Sequence, residues 1–136
     1  GLYTVLVEGD DMNDPVGDAA RSILDGHIVL SRDLASRNHY PAIDVLGSAS
    51  RVMNSVTSTE HRAGAGVIRE LLAAYNKAED LVNIGAYREG ANKQIDRAIK
   101  QIQPINDLLR QAIEESVPAE RALSHMMGIV NAGGGL

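Results

Sequence analysis

The spacing of apolar residues changes near residue 56 and so divides the chain into two regions. In the first region, Leu2–Val7 and His27–Ser31 are short apolar runs that are typical of buried strands. Between them, Asp14 followed by Pro15 predicts the N-cap and first turn of a helix. Two uninterrupted apolar strands joined by a helix are typical of a parallel sheet covered on both faces. We therefore expect residues 1–56 to be the C-terminal portion of an α/β domain.

After residue 56 the apolar residues recur every three or four positions, as they do in amphipathic helices. Thr57 with Glu60 predicts a capping box for a first helix, which is expected to end at Gly85. A polar hinge at Gly85–Lys93 precedes a second helix, and Pro118 is expected to open a third. The second helix is marked by Ile95, Ile99, Ile102, Ile105, Leu109 and Ile113. The pattern predicts a helical domain over residues 57–131 and a disordered tail over residues 132–136.

The composition excludes several classes of protein. With 136 residues, a net charge of -5 and no cysteine, the chain suits one ordinary globular unit without disulfides. The acidic excess argues against nucleic-acid binding, which usually needs a basic face. No apolar run approaches the roughly 20 residues of a membrane-spanning helix. We therefore expect a cytosolic protein with neither a nucleic-acid partner nor a transmembrane segment.

Local patterns support no complete catalytic or metal site. No phosphate-binding loop of the Walker A type is present, and the four histidines lie far apart in sequence. The acidic residues Asp10, Asp11 and Asp14 do not follow the register of a calcium-binding loop. In the segment from His39 to Arg51, the residues alone favour a turn at Tyr40-Pro41 and a surface ion pair for Arg51. A functional role for this segment remains the alternative.

Five motifs follow one another along the chain. They are YTVLVEGDDMNDP from Tyr3, SILDGHIVLSR from Ser22, HYPAIDVL from His39, SASRVM from Ser48 and IGAY from Ile84. In this order they resemble the C-terminal part of the type III protein-export ATPases, the flagellar and injectisome relatives of the rotary ATP synthase catalytic subunit. The resemblance covers about residues 2–113 and implies the last strands of a P-loop (RecA-like) ATPase sheet, followed by a C-terminal helical bundle.

The resemblance implies two nucleotide contacts. Arg51 matches the position of an arginine finger that reaches the γ-phosphate bound by a neighbouring subunit, a role suited to a permanently charged planar guanidinium. Tyr40, braced by Pro41, matches the position of an aromatic side chain against the adenine. Where the synthase relatives have further adenine-pocket aromatics, this chain has the aliphatic Leu108 and Ile113.

The resemblance also implies contacts with a central stalk protein. Asp10, Asp11 and Asp14 match a loop that faces the stalk, and Gly85–Lys93 matches the tip between two C-terminal helices. The tip carries an aromatic residue and both signs of charge. These residues are Tyr87, Arg88 and Glu89.

A full-length relative would use ATP or ADP with Mg²⁺ in a homo-hexamer. In the family, the phosphate loop and the magnesium ligands precede the segment matched here, so the 136 residues alone are expected neither to hydrolyse ATP nor to hold a nucleotide tightly. Further implied partners are export chaperone-substrate complexes, and the implied location is cytoplasmic, peripheral to the export apparatus at the inner membrane. The alternative is a non-enzymatic helical module that docks chaperones, substrates or the stalk. The residues leave open whether the system is flagellar or a virulence injectisome.

Overall fold

The computed structural model describes residues 1–7 and 14–134. Its elements are α1 (Pro15–Ile23), β1 (Gly26–Leu30), α2 (Arg32–Ser36), β2 (Ile43–Ser50), α3 (Met53–Val56), α4 (Thr59–Asn83), α5 (Lys93–Leu109) and α6 (Ala119–Ala132). The expected fold class, an α/β remnant followed by a helical bundle, is confirmed.

The strand pairing differs from the prediction. β1 and β2 are antiparallel, with Gly26 opposite Ser50 and Leu30 opposite Ile43. The strand expected at Leu2–Val7 is absent from the described residues, so the parallel sheet expected from it and His27–Ser31 is not observed there. A strand needs a neighbour to satisfy its backbone groups, and β1 pairs with β2 instead. β2 itself escaped prediction because Gly47 and its neighbouring serines interrupt the apolar pattern.

Most helix ends follow the sequence signals. The Asp14 carboxylate caps α1, accepting from the amides of Val16 and Gly17 at 3.1 Å each. Ser58, not Thr57, caps α4, because the Ser58 hydroxyl accepts from the His61 amide at 3.1 Å. α5 ends at Leu109 and Pro118 directly precedes α6. The prediction that the second helix extends to Ile113 is therefore wrong.

The core lies among α4, α5 and α6. Ala98, Ile105 and Val130 are fully buried there, and Val45 and Leu46 of β2 pack against the same cluster. Gly64 of α4 allows the close approach of α6, since a Cβ at this position would lie 2.6 Å from the Met127 sulfur. The core thus includes side chains from both sides of residue 56, and a domain boundary at that residue remains a prediction.

Two classes of feature are absent from residues 1–7 and 14–134. No helix in these ranges combines the length and the apolar character needed to cross a lipid bilayer. No group of three or more histidine, aspartate or glutamate side chains in the same ranges could hold a metal ion.

Candidate functional site

Tyr40 lies between α2 and β2, where its backbone is fixed and its ring is accessible. The Tyr40 carbonyl accepts from the Gln111 amide, just after α5, at 2.9 Å. Tyr40 is 53% exposed, Pro41 is also exposed, and the peptide bond between them is cis. The helical region therefore holds the main chain at Tyr40 and leaves the aromatic face available for a flat partner.

His39 points away from this surface. It is buried, and burial followed by the charge of Arg110 lowers the pKa of its imidazole below the ordinary value. It lines a cavity of about 280 Å³ between β2 and the helices α4 and α5, together with Arg37 and Glu79, which form a 2.7 Å ion pair. His39 and Tyr40 thus lie in different environments. The cavity that His39 lines is located where the first region packs against the helical region.

Arg51 follows β2 at its opposite end. The Arg51 amide donates to the Asp25 carbonyl at 2.8 Å, which extends the pairing of β2 past Ser50. The Arg51 guanidinium is exposed, and its closest described acceptor is the Arg21 carbonyl at 3.5 Å. No carboxylate in the described part of the chain forms an ion pair with Arg51. The surface ion pair that the sequence favoured for Arg51 is therefore not observed among these residues.

The register of β2 sets the separation of Tyr40 and Arg51. Ala42 pairs with Ser31 and Arg51 pairs with Asp25 through backbone hydrogen bonds. At about 3.3 Å per residue, the stretch from Asp25 to Ser31 spans roughly 20 Å. Tyr40 lies beyond Ala42 in the chain. The two side chains therefore leave opposite ends of one strand.

The loop between α4 and α5 is organised by Asp96. Its carboxylate accepts from the Tyr87 hydroxyl at 2.8 Å and from the Gly90 amide at 3.0 Å. Partial burial and then the bond to Asp96 raise the pKa of Tyr87. Gly85 and Gly90 have φ angles of +69° and +89°, which a glycine adopts without strain. Tyr87 thus holds the loop together.

The outer surface of the same loop is charged and apolar. Arg88 and Glu89 are exposed, and Glu89 lies 3.6 Å from Lys100. Leu81 and Ile84, at the end of α4, are 49% and 75% exposed. These four side chains form an exposed surface at the loop and are not part of the core cluster.

The predicted acidic stalk-facing residues are only partly described. Asp10 and Asp11 lie outside the described residues, and Asp14 is the N-cap of α1. Asp14 is half-buried, and one of its carboxylate oxygens accepts both helix amides.

Two family models match the chain. The family described as "T3SS EscN ATPase C-terminal domain" matches residues 57–128, more than half of the chain. The chain belongs to this family. A second model, the nucleotide-binding domain of the ATP synthase alpha/beta family, matches residues 1–50, which include Tyr40 and all of β2.

Relatives within the family come from two kinds of system. The type 3 secretion system ATPase of Pseudomonas savastanoi pv. phaseolicola is 49% identical over 130 residues, covering 96% of this chain and 29% of the relative. The flagellum-specific ATP synthase of Bacillus subtilis is 45% identical over 128 residues, covering 94% and 29%. The chain thus spans less than a third of the length of these relatives.

Solved structures of the same family share the fold. The assembled ATPase EscN from the type III secretion system of enteropathogenic E. coli superposes with a TM-score of 0.89 at 44% identity, covering 93% of this chain and 31% of EscN. EscN in complex with its central stalk EscO matches with a TM-score of 0.79 at 42% identity, covering 85% and 28%.

Sequence reasoning missed the residues that support this family's candidate site. The Gln111 amide donates to the Tyr40 carbonyl, and Arg69 donates to carbonyls of β2. A carbonyl acceptor leaves no mark in the sequence. Asp96 has a weak signal, because an acidic residue in a first helical turn usually serves the helix itself. The structure gives it the additional task of ordering the loop.

Proposed function

We propose that this chain is the C-terminal part of an ATPase that couples ATP hydrolysis to type III protein export, acting as a ring of six subunits. The proposal is supported by membership of the EscN C-terminal family and by relatives named as type 3 secretion ATPases and flagellum-specific ATP synthases. The sequence holds no phosphate-binding loop. The phosphates and Mg²⁺ of ATP are then held by the rest of the protein, and the 136 residues alone do not hydrolyse ATP.

The placement of Tyr40 and Arg51 at opposite ends of β2 carries the proposal. The proposed base contact and the proposed phosphate contact lie roughly 20 Å apart along one strand. This separation favours an arrangement in which the two residues contact two different nucleotide molecules. Tyr40 and Pro41 contact the adenine bound by their own subunit. Arg51 reaches the γ-phosphate bound by the neighbouring subunit. Each site in the ring then needs two chains.

The environment of Arg51 suits that task. Its guanidinium is exposed and has no described carboxylate partner, so no ion pair has to be broken before it meets phosphate oxygens. A planar, always-charged fork can stabilise the charge that spreads over the transferred phosphoryl group. Arg51 is therefore the catalytic residue that this chain supplies.

The segment after α5 completes the adenine contact. Because the Gln111 amide holds the Tyr40 carbonyl, the chain after Leu109 lies close to Tyr40. Ile113 is 98% exposed, whereas Leu108 packs against the core. Of these two aliphatic candidates, we assign Ile113 to the adenine face.

The loop between α4 and α5 contacts the stalk protein, along with Asp10 and Asp11. Arg88 and Glu89 offer both signs of charge next to the exposed Leu81 and Ile84, a combination that suits a protein partner. Asp14 caps the start of α1. Docking of chaperone-substrate complexes by this chain stays a prediction, and so does the alternative that docking is the chain's sole function. A cytoplasmic position at the inner membrane is also a prediction.

Mixed rings of the full-length protein test the site. Subunits with Arg51→Ala are combined with subunits that lack the phosphate-loop lysine, each inactive alone. If Arg51 acts on the neighbour's nucleotide, phosphate release returns on mixing, because some interfaces pair an intact loop with an intact Arg51. Rings that stay inactive at every mixing ratio, although they assemble, would show that Arg51 does not act across the interface.

Cross-linking tests the stalk contact. A photo-reactive residue at Arg88 should capture the stalk protein, whereas one at Ser116, in the exposed segment between α5 and α6, should not. Arg88 is preferable to Tyr87, whose hydroxyl is bonded within the loop. Equal capture at both positions would contradict the assignment.

A further inference from the structure

β2 contains a bulge at residues 45–48, separated from Arg51 by the paired residues Ala49 and Ser50. His27 lies opposite Ala49 and Val29 lies opposite Asp44, so residues 45–48 all fall opposite Ile28. An extra segment of this kind bends the strand and sets the direction of the residues that follow. The bulge lies between two residue pairs. The Asp44–Val29 pair is on the side of Tyr40, and the Ala49–His27 pair is on the side of Arg51.

The bulge is closed from within by Asp44 and Ser48. The Asp44 carboxylate accepts from the amides of Leu46 and Gly47 at 2.9 Å each. The Ser48 hydroxyl donates to the Asp44 carbonyl at 2.5 Å and accepts from the Val29 amide at 2.9 Å. These bonds occupy the amides of Leu46 and Gly47, whereas the carbonyls of Val45, Leu46 and Ser48 have a different partner.

Arg69 of α4 takes up those carbonyls. Its Nη1 donates to the Val45 carbonyl at 2.6 Å and to the Ser48 carbonyl at 3.3 Å, and its Nη2 donates to the Leu46 carbonyl at 3.3 Å. One guanidinium therefore holds both ends of the bulge, which a fixed fork of N–H donors can do and a single ammonium does poorly.

The helix that carries Arg69 also carries the proposed stalk contact. α4 runs from Thr59 to Asn83, and the loop with Arg88 and Glu89 follows its C-terminal end. At about 1.5 Å per residue, Arg69 lies roughly 21 Å along the helix from Asn83. Arg69 therefore connects the bulge to the same helix that ends at the loop.

We propose that Arg69 is a positioning residue for Arg51: by tying the bulge of β2 to α4, it sets the direction in which Arg51 approaches the neighbouring subunit's nucleotide. This inference rests on the proposed role of Arg51 as the arginine finger. Arg69 itself touches no nucleotide. Its loss leaves the base contact at Tyr40 in place, because Gln111 holds that end of β2 independently.

Steady-state ATP hydrolysis by the full-length ring provides the first test. Arg69→Ala should lower kcat by about 10²-fold, the scale of a misplacement of about 1 Å, with KM for ATP changed less than about twofold. Arg69→Lys should restore little. Arg62→Ala is the matched control, since Arg62 of α4 also donates to backbone carbonyls, those of Asn54 and Thr57, away from the bulge. A kcat for Arg69→Ala within about twofold of the control would overturn the proposal.

Mixed rings separate positioning from general damage to the subunit. Arg69→Ala placed in the subunits that lack the phosphate-loop lysine should abolish their rescue of Arg51→Ala subunits, because those subunits supply the working Arg51. Arg69→Ala placed in the Arg51→Ala subunits should leave the rescue intact. Equal loss in both placements would show a structural role only. If Arg69→Ala does not assemble, Arg69→Lys is used in the same two placements, and it decides between the same outcomes.

The same experiments distinguish failure of this inference from failure of the proposed function. If Arg51→Ala itself turns over at the parental rate, Arg51 is not the finger, and both proposals fall. If Arg51→Ala is inactive and is rescued by mixing, while Arg69→Ala has no effect, only the positioning role of Arg69 is wrong.

Discussion

The two regions of the chain use their apolar residues in different ways. In the helical region Ile105 and Val130 are fully buried between helices. In the first region Ile28 and Leu30 of β1 remain 69% and 72% exposed, and Ile23 of α1 is 79% exposed. The helical region therefore supplies most of the core, whereas the first region presents an apolar surface. Tyr40 and Arg51, two of the residues proposed to meet nucleotide, lie in the region with the exposed apolar surface.

The largest effect is expected at Arg51. In the full-length hexamer, Arg51→Ala and Arg51→Lys should each lower turnover by about 10³ to 10⁵-fold, the range of a lost arginine finger, with much smaller changes in nucleotide affinity. Arg121→Ala, which removes an exposed arginine of the helical region, is the matched control. Turnover of Arg51→Ala within about tenfold of the parent would make Arg51 a surface residue.

A pair of isoleucines tests whether the two regions differ in stability. Ile105→Ala should lower the free energy of unfolding of the 136-residue chain by about 2 to 5 kcal/mol, because Ile105 is fully buried. Ile28→Ala should change it by less than about 0.5 kcal/mol, since Ile28 is exposed. Urea unfolding measures both. Similar losses for the two variants would mean that the exposed face of β1 is covered in solution.

Sequence patterns predicted the helical region better than the first region, and the reason is physical. Helices close their own hydrogen bonds, so the start at Pro118 and the stop at Gly85 could be placed to within about a residue. A strand is defined by its partner, and no local signal states that β1 pairs with β2. The roles proposed for Arg51 and Tyr40 come from the resemblance alone. Arg69 and Gln111 were missed because their acceptors are backbone atoms distant in sequence.

The junction between the regions should respond to pH through His39. Its pKa is lowered in the folded chain, so below about 6.5 the unfolded chain binds more protons than the folded one. The free energy of unfolding should therefore fall as the pH drops below about 6.5. His39→Gln should weaken this dependence in chemical unfolding, and His125→Gln, which removes an exposed histidine, should not. An unchanged pH dependence in His39→Gln would contradict the expectation.

The smallest effect is expected at the loop after α4. Tyr87→Phe removes the hydroxyl that bonds to Asp96, so the amide of Gly90 should exchange with solvent severalfold faster. Tyr75→Phe, which alters a tyrosine packed on the core, serves as the control. Unaltered exchange at Gly90 would show that Asp96 orders the loop without Tyr87.

The four tyrosines, in a chain without tryptophan or phenylalanine, lie in four separate environments. Tyr3 is 82% exposed near the start of the chain, Tyr40 lies at the proposed adenine face, Tyr75 packs on the helical core, and Tyr87 bonds to Asp96. Fluorotyrosine incorporation would therefore give one ¹⁹F resonance for each environment. A nucleotide, a stalk protein and a loss of core packing would each shift a different signal, so a single spectrum could follow all three events.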